Sequence, residues 1–188
     1  MADYLGFTFV DPAEMIRFDG NGQFDAEITE ALVAKRLKDV TEAVVPGFYG
    51  AKENGEIKTF SRGGSDITGS IIAGALDVEL YENWTDVSGV MVTDPRIINN
   101  PKSIDTITYR ELRELSYMGA TVLHEDAIFP VRKAGIPINI KNTNAPEEDG
   151  TMIVEDTCKK PPYTITGIAG KKGFCSLFIE KSMMNAEI

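Results

Sequence analysis

Apolar positions recur along the chain with two different periods, and the alternation between them sets out a fold. Residues 25–40 (DAEITEALVAKRLKDV) place Ile28 four residues before Leu32, and Val33 four before Leu37. That spacing predicts a helix with a broad apolar stripe. Ala43-Val-Val45 is a short apolar run stopped by Pro46-Gly47 and reads as a buried strand. Ile57–Phe60 predicts another strand. Ser65–Leu76 predicts a helix with Ile67, Ile71 and Ala75 on one face, and Val78–Tyr81 the next strand. At 107–119, Thr108 and Glu111 form a T-x-x-E capping box, with Ile107 and Leu112 spaced as a hydrophobic staple. A helix near 125–134 contains Pro130, which should kink or split it. Ile136–Ile140 and Thr151–Val154 read as strands around a polar turn, 142–150.

Both ends differ from this middle. Tyr4–Val10 is apolar and aromatic from the fourth residue, whereas a domain usually starts polar and loosely held. It reads as the end of a helix running into a buried strand. Composition shifts at Asp156–Pro162 (DTCKKPP), a linker pattern, and Thr164–Ile168 and Phe174–Glu180 read as two strands of a separate small unit. Helices alternating with strands up to about residue 155 predict an α/β fold with a parallel-rich sheet covered on both faces.

Charge then narrows the partners. Nineteen basic against 29 acidic residues give a net charge of −10 over 188 residues, poorly suited to a polyanion, so nucleic acid is not an expected partner. Lys159-Lys160 and Lys171-Lys172 are short, without aromatic interleaving, and read as solvated loop charges. No run approaches 18 apolar residues, so no membrane span is expected. Two cysteines, Cys158 and Cys175, make neither a disulfide framework nor a metal spacing, which fits a reducing cytoplasm. The single histidine, His124, has no second His or Cys to join it at a metal, and Glu147-Glu148-Asp149 reads as a solvated loop cluster. No metal-ligand residue is therefore expected.

Two segments can carry chemistry. Phe60-Ser-Arg-Gly-Gly-Ser-Asp66 follows a strand and opens a helix. Its glycines allow close backbone approach, the helix start offers N–H groups to an anion, and Arg62 can grip a carboxylate or phosphate. Ser65 and Asp66 fall where N-cap and first-turn residues belong, so a tight turn with a good cap accounts for them equally well. The second segment is Trp84–Arg96 (WTDVSGVMVTDPR), with Thr85 and Asp86 just after a strand, where ligands of open α/β sheets bind. Thr85 and Asp86 can hydrogen-bond a ribose or base, and Arg96 can neutralise phosphate; two successive turns are the plainer reading.

Taken together, Arg62-Gly-Gly-Ser-Asp66, Trp84-Thr-Asp86 with Gly89 and Asp94-Pro-Arg96, Gly119-Ala120, Val122-Leu-His124, Asn142-Thr-Asn144 and Gly150-Thr151 resemble the aspartokinases of the amino acid kinase family. The tail from Tyr163 resembles the opening of a regulatory ACT domain. The resemblance implies a three-layer αβα fold, with residues 1–155 forming the C-terminal part of a kinase domain, 156–162 a linker and 163–188 the start of a ferredoxin-like ACT domain. It implies ATP-dependent phosphorylation of the L-aspartate β-carboxylate, the first step toward lysine, threonine and methionine. Arg62, Gly63, Gly64, Ser65 and Asp66 would be the substrate side, with Asp66 catalytic. Thr85, Asp86, Met91, Arg96, Thr121 and Val122 would be the nucleotide side. The expected ligands are L-aspartate and ATP with its Mg2+, and the full-length parent would be a homodimer under allosteric control. The Lys-Phe-Gly-Gly-Thr-Ser-like phosphate loop that opens such kinases is absent from these 188 residues, and Met91 and Thr121 stand where some members carry Tyr and Lys. The expectation is a fragment without useful turnover on its own. A non-catalytic nucleotide- or amino-acid-binding protein, or one half of a split kinase, is the competing reading.

Overall fold

The computed structural model describes residues 1–61, 63–117, 123, 125–157, 164–170, 172–173 and 175, with Glu125 and Asp126 described by their backbone alone. The elements run α1 (Ala2–Leu5), β1 (Thr8–Phe9), β2 (Arg17–Phe18), α2 (Ala26–Leu37), β3 (Ala43–Val44), β4 (Tyr49–Lys52), β5 (Ile57–Thr59) and α3 (Gly64–Leu76). They continue as β6 (Tyr81–Thr85), β7 (Thr106–Thr108), α4 (Tyr109–Tyr117), α5 (Glu125–Lys133), β8 (Ile138–Asn142) and β9 (Thr151–Val154). The α/β expectation holds. The strands form a β1–β3 pair, a β2–β4–β5 sheet and a β6–β8–β9–β7 sheet. Pairing is parallel except at β4–β5 and β8–β9. No helix among the described residues is long and apolar enough to cross a membrane.

Period-2 burial builds the larger core. Ile138 and Ile140 of β8, Ile153 of β9 and Ile107 of β7 are fully buried with Val131 of α5. A second core gathers Val10, Met15, Ile16 and Phe18 against Val33 and Leu37 of α2. Helix α3 serves both, sending Ala73 to the first and Ile72 and Ala75 to the second. The buried line of α2 is Thr29, Val33 and Leu37, while Ile28 stays exposed. The Thr29 hydroxyl accepts the Arg17 N–H at 2.9 Å, which draws that face of the helix inward.

Several expected boundaries move, for local reasons. The strand expected at 78–81 is Tyr81–Thr85. Asp77 is left-handed, and Val78 donates its N–H back to the Ala73 carbonyl at 3.3 Å, so these residues close α3 instead of opening a strand. The strand expected at 136–140 is Ile138–Asn142, because left-handed Gly135 and the Ile136 N–H to Val131 carbonyl bond close α5 in the same way. Pro130 does not split α5, which runs unbroken over Glu125–Lys133. The Val131 N–H finds the Ser70 hydroxyl of α3 at 3.3 Å, so a side chain of the neighbouring helix satisfies the backbone beside the proline. The first helix-to-strand passage occurs, but β1 is not buried: Phe9 is 55% exposed, because β1 pairs with β3 alone. Among the described residues, Thr164–Ile168 forms no strand, and its one backbone bond runs from the Ile168 N–H to the Val92 carbonyl at 2.7 Å. Phe174, 176–180, Tyr163 and most of the expected 156–162 linker lie outside the described residues.

The capping box forms as written. One Glu111 oxygen accepts the Thr108 N–H and hydroxyl at 2.9 and 2.8 Å, and the Thr108 hydroxyl accepts the Glu111 N–H at 3.2 Å. The other Glu111 oxygen accepts from the Thr166 hydroxyl at 2.5 Å. Burial pushes this carboxyl up, but the bonds from Thr166 and Thr108 outweigh it and leave it below the usual glutamate range. A carboxylate lowered on folding stabilises above its unfolded pKa, and that contribution is lost as pH falls through the folded value. Glu111→Gln is therefore expected to lose about 1 kcal/mol at pH 7, with the gap to wild type closing as pH falls below about 4. Urea denaturation from pH 7 to 3 checks this, and a gap that stays constant across that range contradicts it.

Candidate active site

The start of α3 is shaped by two glycines with separate reasons. Gly63 is left-handed, with φ 54°, a conformation that favours glycine. A Cβ on Gly64 would lie 2.4 Å from the Phe48 ring. The Phe48 N–H bonds the Thr68 hydroxyl at 3.0 Å and the Gly64 carbonyl at 3.2 Å, locking the 46–48 loop to the helix. Gly64 thus serves close packing within the fold, while Gly63 is exposed and a Cβ there would meet Ala127 and Asp66 only at ordinary contact distances. Ser65 does not cap the helix. Gly63 is the N-cap, no side chain among the described residues caps α3, and Ser65 lies exposed two residues past the cap position.

Asp66, in the first turn of α3, is half-buried. Its Oδ1 accepts from the Asn83 side-chain amide of β6 at 3.0 Å. Asn83 and Thr85 lie on the same face of β6, about 7 Å apart along the strand. The two candidate segments therefore meet at one strand.

Thr85 is the last residue of β6, and its hydroxyl donates to Asp86 Oδ1 at 3.2 Å. The Thr85 carbonyl accepts both the Thr143 N–H, at 2.8 Å, and the Thr143 hydroxyl, at 2.9 Å. Asn142, ending the neighbouring parallel strand β8, donates to the Ser88 hydroxyl at 2.8 Å. Buried Thr151 then accepts the Val90 N–H at 2.8 Å and donates to the Ile104 carbonyl at 2.6 Å. A Met91–Ser103 bridge closes the base of the loop that carries Asp94-Pro-Arg96. The carboxyl ends of β6 and β8 thus present hydroxyls, amides and a carboxylate in one place, the usual ligand edge of an α/β sheet.

Arg96 is already engaged. Its guanidinium bonds both Asp94 oxygens at 2.7–3.0 Å. The pairing holds the Asp94 carboxyl below the usual range and pushes the Arg96 guanidinium up. The guanidinium is 83% exposed, so a phosphate arriving there would compete with Asp94. Among the described residues no hydrogen bond joins Arg96 to Asp86 or Asp66. Trp84, on the opposite face of β6, is 45% exposed, bonds Glu82 through Nε1 at 3.1 Å and has the Lys141 ammonium 5.4 Å from its ring centre.

The structure therefore brings Gly63, Gly64, Ser65 and Asp66 together at α3 and Thr85 and Asp86 together at β6, with Met91 and Arg96 on the adjoining loop. Arg62, Gly119, Ala120, Thr121, Val122 and His124 lie outside the described residues. Asn83, Ser88, Thr143 and Thr151 hold the arrangement but were given no role from sequence. The one sequence signal for Asn83 is a polar amide in a strand between Tyr81 and Thr85. A narrow hollow between α4 and α5, lined by Tyr109, Arg113, Leu123 and Ile128 among others, includes none of the site residues.

Comparison with known proteins bears on the fold and family. The model of the amino acid kinase family matches residues 7–142. Aspartokinase 3 of Bacillus subtilis is 47% identical over 171 residues, which cover 90% of this chain and 37% of that protein. The crystal structure of Clostridium acetobutylicum aspartate kinase superposes with a TM-score of 0.84 at 58% identity, covering 89% of this chain and 39% of that one. Escherichia coli aspartokinase III in complex with aspartate and ADP gives a TM-score of 0.71 at 30% identity, covering 80% of this chain and 35% of that one. The chain spans well under half the length of these relatives. With the family model matching most of its length, the chain belongs to the amino acid kinase family.

Proposed function

We propose that the chain is the catalytic-segment part of an aspartokinase, transferring the γ-phosphoryl group of Mg2+-bound ATP to the β-carboxylate of L-aspartate. The observation that carries this is the Asn83 bond to Asp66, which ties the proposed substrate side to β6, the strand that ends at Thr85. A carboxylate oxygen of aspartate attacks the γ-phosphorus as its bond to the ADP oxygen breaks. Such transfer depends on positioning and charge neutralisation more than on covalent participation by the protein. Arg62 and Ser65 would hold aspartate, with Gly63 and Gly64 shaping the turn, and Asp66 would organise the reacting groups. Thr85, Asp86, Met91, Arg96, Thr121 and Val122 would line the nucleotide. The magnesium belongs to the nucleotide substrate. The close similarity to aspartokinases supports the same reading, as it does a cytoplasmic, dimeric parent in lysine biosynthesis and an ACT-type regulatory unit opening near residue 163.

Trp84 is the only tryptophan and adjoins Thr85, so its fluorescence reports on the site. Titration with ADP and Mg2+ is expected to give a saturable change, and Asp86→Ala to weaken binding about 10-fold or more, the usual loss for a hydrogen bond to a charged group. Identical curves for the two proteins, or no saturable change, contradict the nucleotide assignment.

A further inference from the structure

We propose that Asn83 is a positioning residue that sets the Asp66 carboxylate for the reaction. The inference rests on the reading that Asp66 organises the reacting groups, and it adds the residue through which the fold aims it. Asparagine is disfavoured in strands, and a buried amide is costly unless hydrogen-bonded. Asn83 is nevertheless 8% exposed in the middle of β6. Its side-chain nitrogen uses both donors, one to Asp66 Oδ1 at 3.0 Å and one to the Tyr81 hydroxyl at 3.2 Å. Tyr81 in turn donates to the Asp66 backbone carbonyl at 3.4 Å. A carboxylate only accepts, so the amide must face Asp66 with its nitrogen.

Space for this cluster is reserved by the sequence. A Cβ on Gly69 would lie 2.8 Å from the Tyr81 hydroxyl oxygen, so a larger residue there would displace the phenol. Asp66 stands in the first helical turn, where an acidic side chain commonly turns back to the helix's own N–H groups. It reaches instead across to β6, and among the described residues Asn83 is the only hydrogen-bond donor to its carboxylate. One oxygen is thereby fixed, while the other lies on the Gly63 side, 3.8 Å from where a Gly63 Cβ would stand. Asn83 thus acts through Asp66, and Tyr81 steadies the same residue through its backbone.

The test is the side-chain rotamer of Asp66, read from three-bond couplings across χ1 in the isotopically labelled 188-residue chain. Wild type is expected to favour one rotamer by more than about tenfold, as a charge-assisted bond of this kind would impose. Asn83→Leu, of similar volume but without donors, is expected to let Asp66 average over rotamers, while amide-exchange protection along α3 is retained. Tyr81→Phe leaves the Asn83 bond intact and is expected to keep the single rotamer, which keeps the proposal testable even where the leucine variant does not fold. Rotamer averaging in wild type, averaging in Tyr81→Phe, or a single rotamer surviving in folded Asn83→Leu would overturn the proposal. None of these readings involves a ligand, so failure of the kinase assignment shows separately, in the nucleotide titration.

Discussion

Asp66→Asn is expected to lower phosphoryl transfer to aspartate by about 10²–10³-fold, the usual loss for one well-placed electrostatic group, with nucleotide affinity changed less than about twofold. The substitution keeps the shape and the bond from Asn83, since an amide oxygen can accept where Oδ1 did. It removes the charge. If Asp66 organises the reacting groups, the loss falls on turnover and not on ground-state binding, because the residues proposed to hold the nucleotide, Thr85 and Asp86, are other than Asp66. Steady-state kinetics of the chain supplied with the N-terminal half of an aspartokinase, beside the Trp84 titration, separates the two. A variant with unchanged turnover, or one that loses nucleotide affinity in proportion, contradicts the role.

Gly89→Ala is expected to destabilise the chain by about 3–7 kcal/mol, a large part of the stability of an ordinary domain. Gly89 has φ +92°, and a Cβ there would lie 2.3 Å from the Thr151 hydroxyl oxygen and 2.9 Å from the Thr151 nitrogen. Thr151 is fully buried and holds both the Val90 N–H and the Ile104 carbonyl. Moving it strands two buried backbone groups, at about 1–3 kcal/mol each, on top of backbone strain of about 1 kcal/mol or more. It also releases the base of the Asp94–Arg96 loop. Gly55→Ala is the control: φ is +83° but nothing lies within 4 Å of the added carbon, so strain alone remains. Urea midpoints of the two variants check this, and equal losses contradict the packing argument.

What the residues revealed beforehand follows from the range of the interactions concerned. The α2 helix and the Thr108–Glu111 box were legible because their periodicity and side-chain reach are local. The starts of β6 and β8 came two or three residues late because Asp77 and Gly135 close the preceding helices through backbone bonds that hydropathy does not encode. Pro130 reads as a breaker until Ser70 is seen beside Val131, 61 residues further along the chain. Likewise, Gly63 and Gly64 look alike in sequence, yet one serves a left-handed backbone and the other the Phe48 ring. The positions of the candidate site segments were legible by motif, as Gly63–Asp66 and Thr85-Asp86 stand at an element start and a strand end. Asn83 was not, because its partner is 17 residues away and is reached only once α3 has folded onto β6.

The central claim is the acceptor, and the most direct measurement of it is ADP release from ATP with L-aspartate or L-glutamate supplied. The chain is assayed alone and then with an aspartokinase N-terminal half that carries the Lys-Phe-Gly-Gly-Thr loop. The account predicts release that depends on aspartate, appears on complementation, and is about tenfold or more weaker with glutamate, whose extra methylene misplaces the carboxylate. Equal rates with glutamate, release that ignores the acceptor, or robust turnover by the chain alone would contradict it.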